Sequence, residues 1–178
     1  MAAYEAKVED TIARFDLLAK GQKIAVACSG GKDSTVLLHL LHRFGYHVEA
    51  LAIDEGIEGY RDRTLADLRA FCHGRGIALR IASYQEALGT TLDAFLKKNP
   101  STRPCAACGV WRRNLLNREA HSFDALATGH NLDDEAQSIL MNLIKANVGV
   151  LARLGPRSGL IAQEGFTQRV KPLYLCTE

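Results

Sequence analysis

Lys23-Ile-Ala-Val-Ala-Cys-Ser-Gly-Gly-Lys-Asp-Ser-Thr-Val-Leu-Leu-His-Leu-Leu-His-Arg-Phe44 is the stretch on which the fold turns. Its first six residues form a short apolar run without polar alternation, as expected of a strand buried on both faces. Ser29–Asp33 breaks that run with two adjacent glycines. Ser34–Phe44 then carries leucines at helical spacing. Strand, glycine-rich turn and helix in this order make a βα unit.

The alternation continues outward in both directions. Upstream, Tyr4, Val8, Ile12, Phe15 and Leu18 recur at three- and four-residue spacing and predict a helix over residues 3–19, stopped by Gly21. Downstream, His47–Asp54 reads as a strand. Arg61–Gly74 reads as a helix with Leu65, Leu68 and Phe71 inward, and Ile77–Ala82 as a strand. Helices are expected over Leu92–Lys98 and residues 106–122, and a strand over Asp124–Thr128. Leu132–Ala146 is expected to be a helix with Ile139, Leu140, Leu143 and Ile144 on its core side, and Gln168–Leu173 the last strand. The fold class is therefore α/β: an open parallel five-stranded sheet with helices on both faces, Rossmann-like, preceded by an N-terminal helix. Residues 1–20 are assigned to that helix and 21–178 to the core. The loops 29–34, 54–60 and 129–134 all follow strands and share the carboxyl edge, where ligands bind in such sheets. Residues 147–167 are the least regular stretch and are expected to form a substrate loop.

The chain has 178 residues, 47% apolar and 24% charged, with 15 Gly, 4 Pro and 5 Cys. This excludes a disordered or collagen-like chain. No apolar run approaches the roughly 18 residues that span a bilayer, and the charged start is unlike a signal peptide. A cytoplasmic protein without a membrane partner is expected. Residues 97–178 carry 11 Lys and Arg against 7 Asp and Glu, whereas residues 1–96 carry 11 against 13. The basic excess permits a nucleic-acid surface in the second half and fits a solvated mixed surface equally well.

Three motifs carry chemistry. In Ser29-Gly30-Gly31-Lys32-Asp33-Ser34 the glycines let backbone approach a ligand, and the following helix offers free N–H groups and a positive dipole end. The spacing fits neither a Walker A loop nor a dinucleotide Gly-x-Gly-x-x-Gly. It matches the PP-loop, the pyrophosphate-binding signature of ATP pyrophosphatases. In Gly129-His130-Asn131-Leu132-Asp133-Asp134-Glu135, the carboxylates open a helix. They either cap it or, beside a phosphate loop, hold magnesium on a leaving pyrophosphate. Cys105-Ala-Ala-Cys108 follows Pro104 at the start of a helix carrying Arg112 and Arg113. Half a metal site, a redox dithiol and an iron–sulfur cluster completed by another cysteine all remain open. Arg112 and Arg113 are solvated or contact phosphates. Ile53-Asp54-Glu55-Gly56 ends the second strand, where backbone can lie beside an adenine ring. Cys28 reads as a core thiol, Cys72 as an inert thiol near a helix end, and His39 and His42 as surface or core residues.

Together Val26–Ser34, Cys105-Ala-Ala-Cys-Gly-Val-Trp-Arg-Arg113, Ala127–Asn142 and Arg169-Val-Lys-Pro-Leu173 resemble the TtuA family of tRNA 2-thiouridine synthetases and its archaeal and eukaryotic cytoplasmic relatives. The resemblance implies an adenine nucleotide alpha hydrolase-like fold that takes ATP, magnesium and tRNA. A uridine C2 oxygen attacks the α-phosphate, pyrophosphate leaves, and sulfur then displaces AMP. It places the nucleotide on Ser29, Gly30, Gly31, Lys32, Asp33, Ser34, Ile53, Asp54, Gly129 and His130. Asp134, with Asp133 in reserve, is implied as the catalytic carboxylate, and Cys105, Cys108 and Arg112 also join the chemistry. Cys105 and Cys108 match two of three ligands of a 4Fe–4S cluster, with the third expected outside this chain and not at Cys176. A persulfide on Cys105 and Cys108 in another adenylating tRNA enzyme, or a non-catalytic nucleotide-binding module, are the alternatives. The sulfur donor implied is a ubiquitin-like thiocarboxylate carrier or sulfide, and since family members are often dimers, a homodimer is the implied assembly. The family's Cys-x-x-Cys zinc modules are missing at both ends, and Thr177-Glu178 reads as the cap and first turn of a further helix. The chain is thus expected to be the ATP-binding core of a larger protein.

Overall fold

A computed structural model describes residues 2–158 and 166–177. The helices are α1 Ala2–Arg14, α2 Lys32–Arg43, α3 Arg61–His73, α4 Tyr84–Leu88, α5 Leu92–Lys98, α6 Pro104–Glu119, α7 Leu132–Ile144 and α8 Val148–Leu151. The strands are β1 Lys23–Ala27, β2 His47–Asp54, β3 Ala78–Ser83, β4 Ala125–Thr128, β5 Arg157–Ser158 and β6 Arg169–Val170. The sheet runs β3-β2-β1-β4-β6-β5, parallel except for β5 against β6. It has six strands where the sequence predicts five, because β5, two residues long, carries no periodic signal. β6 is also shorter than the strand predicted over Gln168–Leu173, because Pro172 has no N–H to continue the ladder.

The expected covering of both sheet faces is observed. Ile24 and Val26 pack with Leu37, Leu38 and Leu41 of α2, Leu65 and Leu68 of α3, and Val8 and Ile12 of α1. Alternate residues of the sheet, Ala25, Leu51 and Leu126, meet Ala120 and Phe123 at the end of α6. Trp111 seats α6 through edge contacts with Tyr84, centroids 5.4 Å apart, and Phe95, 4.7 Å apart. β1 lies between β2 and β4, so the chain leaves it in opposite directions on its two sides. That switch point opens a crevice at the carboxyl edge.

Two helix ends depart from expectation for backbone reasons. α1 stops at Arg14 because Asp16 turns left-handed at φ 47°, and Leu17 and Leu18 then enter the core outside any helix. α2 begins two residues before the predicted start because Gly31 already serves as its cap. The short α4, not predicted, has its own signals in the cap Ser83 and the left-handed Gly89.

The larger correction concerns α7. Its Ile139, Leu140, Leu143 and Ile144, predicted to face the core, are 40%, 59%, 59% and 77% exposed. Helical spacing defines an apolar stripe but not what lies beneath it. This helix is seated by its first turn, where Glu135 is buried, and beyond that packs on α8. Lys171, just past β6, ion-pairs with Glu135 and ties that turn to the sheet. Of the expected substrate loop at 147–167, α8 and β5 are observed and residues 159–165 lie outside the described residues. Glu178, the second residue of the expected further helix, lies outside them too.

Candidate functional site

Residue spacing at the end of β1 forces the chain into a tight loop. Gly30 has φ +85°, and a Cβ there would stand 2.8 Å from the Thr64 Cβ of α3. Ser34 Oγ donates to the Gly31 carbonyl at 3.0 Å and lies 3.3 Å from the Ser29 N–H, while Ser29 Oγ accepts from the Gly31 N–H at 3.2 Å. The loop is held by its own serines. Gly31 caps α2 without a side-chain acceptor, so the first-turn N–H groups of a 12-residue helix face outward. That is the chemistry of an anion site. The turn after β4 closes on it: a Cβ on Gly129 would sit 2.8 Å from Ser34 N.

A cavity of about 300 Å³ opens between these turns. The end of β1 and the loop supply Ala27, Cys28, Ser29, Gly31, Asp33 and Ser34. Leu51, Ile53 and Glu55 come from β2 and its end, and Thr128, Gly129 and His130 from the end of β4; Arg61, Arg112 and Leu116 complete the wall. His130 Nδ1 lies 3.0 Å from Thr128 Oγ1. The three loops expected to share one edge do so. Of the remaining predicted nucleotide residues, Gly30 and Lys32 line a neighbouring cavity with Asp67 and Phe71. Asp54 turns its carboxylate to the Gly56 N–H at 3.0 Å.

Sequence reasoning placed Glu55 in the Ile53–Gly56 turn without giving its side chain a role, and missed Arg61. Glu55 is buried and faces two arginines: Oε2 is 2.9 Å from Arg61 Nε and Oε1 is 2.9 Å from Arg112 Nη2. The Arg61 Nε contact is an ion pair without a hydrogen bond. Arg61, equally buried, donates to the Ser29 and Ile53 carbonyls and so fixes both flanks of the cavity. Burial alone would lower the Arg112 pKa, but Glu55 outweighs it, with Cys108 and Tyr84 adding, and the net shift is upward. The signal available was the position of Glu55, one residue beyond a strand that ends at the ligand edge.

Asp133 and Asp134 do not line the cavity. Asp134 Oδ2 accepts the Asn131 N–H at 3.1 Å and Asn131 Oδ1 accepts the Asp134 N–H at 3.0 Å, a capping box for α7. Cys105 is exposed and Cys108 buried on the first turns of α6, also off the cavity wall. Cys108 Sγ accepts from Arg112 Nη2 at 3.2 Å, and Tyr84 donates to the Cys108 carbonyl at 3.0 Å. Among the described residues no group of three or more His, Cys, Asp or Glu could hold a metal. Two thiols thus supply only part of a cluster's ligand set. Burial pushes the Cys28 thiol up to about 12, with Cys72 adding. It is therefore a neutral wall residue at physiological pH.

A family model described as the PP-loop domain matches residues 3–176. The chain belongs to the PP-loop domain family. It is 42% identical over 178 residues to the tRNA-5-methyluridine(54) 2-sulfurtransferase of Pyrococcus horikoshii, covering 98% of this chain and 56% of that protein. It is 42% identical over 181 residues to the cytoplasmic tRNA 2-thiolation protein 1 of Drosophila willistoni, covering 97% and 52%. Among solved structures, this PP-loop chain is similar to the U34-tRNA thiolase NcsA from Methanococcus maripaludis with its 4Fe–4S cluster. That match has a TM-score of 0.83 and 39% identity, and covers 99% of this chain and 60% of that one. The chain spans little more than half the length of these relatives.

Proposed function

We propose that this chain is the ATP-activating part of a cytoplasmic tRNA 2-thiolation enzyme, which adenylates the C2 oxygen of a tRNA uridine for replacement by sulfur. The observation that carries this reading is one cavity shared by the PP-loop, the turn after β4 and Arg112. Arg112 stands on the helix that bears Cys105 and Cys108. The three relatives named above, all of which act on tRNA by name, support the substrate class.

In this reading the triphosphate lies on the N-terminus of α2, and the adenine lies against Ile53 at the end of β2. The uridine oxygen attacks the α-phosphorus, and the bridging oxygen to the β-phosphorus departs with pyrophosphate. First-turn N–H groups of α2 and the Arg112 guanidinium offset the charge that builds there. Asp134 is the proposed catalytic carboxylate. Cys105 and Cys108 are the proposed contribution to a cluster such as the one NcsA carries. Among the described residues no further ligand joins them, and the third is proposed to come from outside this chain. A ubiquitin-like thiocarboxylate carrier or sulfide as donor, and a homodimer, complete the reading by resemblance.

Two measurements test it. The full-length protein, prepared anaerobically, is expected to release AMP and pyrophosphate from ATP only when unmodified tRNA is added. tRNA from a strain lacking the gene is expected to lose a 2-thiouridine on nucleoside analysis. ATP binding without tRNA-dependent turnover, together with unchanged nucleosides, overturns the reading.

A further inference from the structure

The pocket wall holds one buried carboxylate between two guanidinium groups. Glu55 and Arg61 have side chains only 5% and 4% exposed, whereas the Arg112 side chain is 45% exposed. One carboxylate neutralises one guanidinium, so the trio keeps a surplus positive charge. That surplus belongs to the member that opens on the cavity. The contacts of Arg112 to Glu55 and to Cys108 both use Nη2. Among the described residues Nε and Nη1 take no partner, and Arg112 lines the cavity. A buried carboxylate is costly unless paired, and a flexible arginine side chain loses rotamer freedom when fixed. Here each cost is offset by the other group. Glu55 also fixes Arg61, whose donors hold the Ser29 carbonyl of the PP-loop and the Ile53 carbonyl of β2. One side chain thus sets the spacing between the phosphate loop, the end of β2 and the arginine of the cysteine-bearing helix.

We propose that Glu55 is a positioning residue for nucleotide binding, which docks the Arg112 guanidinium so that its free nitrogens meet a phosphate of bound ATP. The proposal rests on the reading of the cavity as an ATP site. It adds a residue of the cavity wall that acts through another side chain, and it makes Arg112 effective only while Glu55 is present. Removing the carboxylate leaves the arginine charged and present but unaimed.

The test is ATP affinity by calorimetry on the chain and its variants, each first checked for folding by thermal denaturation. Arg112→Ala and Glu55→Gln are each expected to weaken ATP binding about tenfold, the scale of one charged hydrogen bond. The double variant is expected to be no weaker than either. The decisive readout is chemical rescue. Methylguanidinium is expected to restore most of the affinity of Arg112→Ala, because Glu55 docks the free guanidinium where the side chain lay. It is expected to restore none in the Arg112→Ala, Glu55→Gln pair. A purely structural carboxylate gives no such dependence. Should Glu55→Gln fail to fold, Glu55→Asp replaces it, since the shortened carboxylate keeps the charge but cannot reach both arginines, and rescue is again expected to fail. Wild-type affinity in Glu55→Gln or in Arg112→Ala, or rescue that ignores residue 55, overturns the proposal while leaving the ATP site standing. A wild-type chain that does not bind ATP overturns the ATP reading and the proposal together.

Discussion

Asp134 and Asn131 hold each other across the start of α7, each side chain accepting the other's backbone N–H at about 3 Å. The carboxylate proposed for catalysis is thus also a helix cap, and a single alanine variant removes both functions. Asp134→Ala is expected to lose about 1 kcal/mol of stability. Asp134→Asn keeps a carbonyl oxygen to accept the Asn131 N–H and loses only the charge. It is expected to melt as the wild type does and to lose tRNA-dependent AMP release by about a hundredfold in the full-length protein. Calorimetric melting beside a turnover assay checks both halves. Full turnover in Asp134→Asn leaves the residue as a cap alone.

Gly129 meets the backbone of Ser34, not a movable side chain. A Cβ would stand 2.8 Å from Ser34 N and 3.0 Å from both Asp33 C and Ser34 Cα, so the first turn of α2 would have to shift. Gly129→Ala is expected to reduce ATP affinity at least about tenfold, with a smaller effect on melting, because the displaced N–H groups are those proposed to bind phosphate. Gly45→Ala is the control: nothing lies within 4 Å of that position, and only its φ of +76° resists the change. It is expected to cost about 1 kcal/mol and to leave ATP affinity alone.

These contrasts mark what the sequence made legible. Lys23–Phe44 announced strand, loop and helix through local properties, namely apolar continuity, two glycines and helical spacing, and the crevice followed from strand order. The loops that build the cavity were found for the same reason. The ion-pair roles of Glu55 and Arg61 were not. Each looks like an ordinary charged residue beside a loop, and their partnership with Arg112 joins residues about fifty positions apart that only the packing of α6 across β2 brings together. The α7 stripe failed for the opposite reason: its period was correct, but a period does not say which neighbour, if any, lies against it.

Alkaline pH should loosen the wall of the site. Burial, and then the Cys72 thiol, raise the Cys28 pKa from 9.0 to about 12. The unfolded chain therefore gives up this proton first. The contribution to stability is complete below pH 9.0 and is lost as pH rises through the window to about 12. Tyr4, Tyr84, Cys72 and Cys176 are shifted in the same direction, chiefly by burial. Urea unfolding followed from about pH 8 upward is expected to show a falling midpoint beyond about pH 9. The slope is expected to be shallower in Cys28→Ala, despite that variant's lower stability at the start of the range.

The exposed stripe of α7 provides a test of which reading of that helix is right. Had Ile144 faced the core, replacing it with lysine would bury an unpaired ammonium and cost several kcal/mol. At 77% exposure the replacement meets water, and Ile144→Lys is expected to change stability by less than about 0.5 kcal/mol. Leu126→Ala, in a strand residue with no exposed surface, is expected to cost about 2–5 kcal/mol. Equilibrium unfolding of the two variants decides the matter. A large loss in Ile144→Lys would mean that α7 packs in solution against something other than α8.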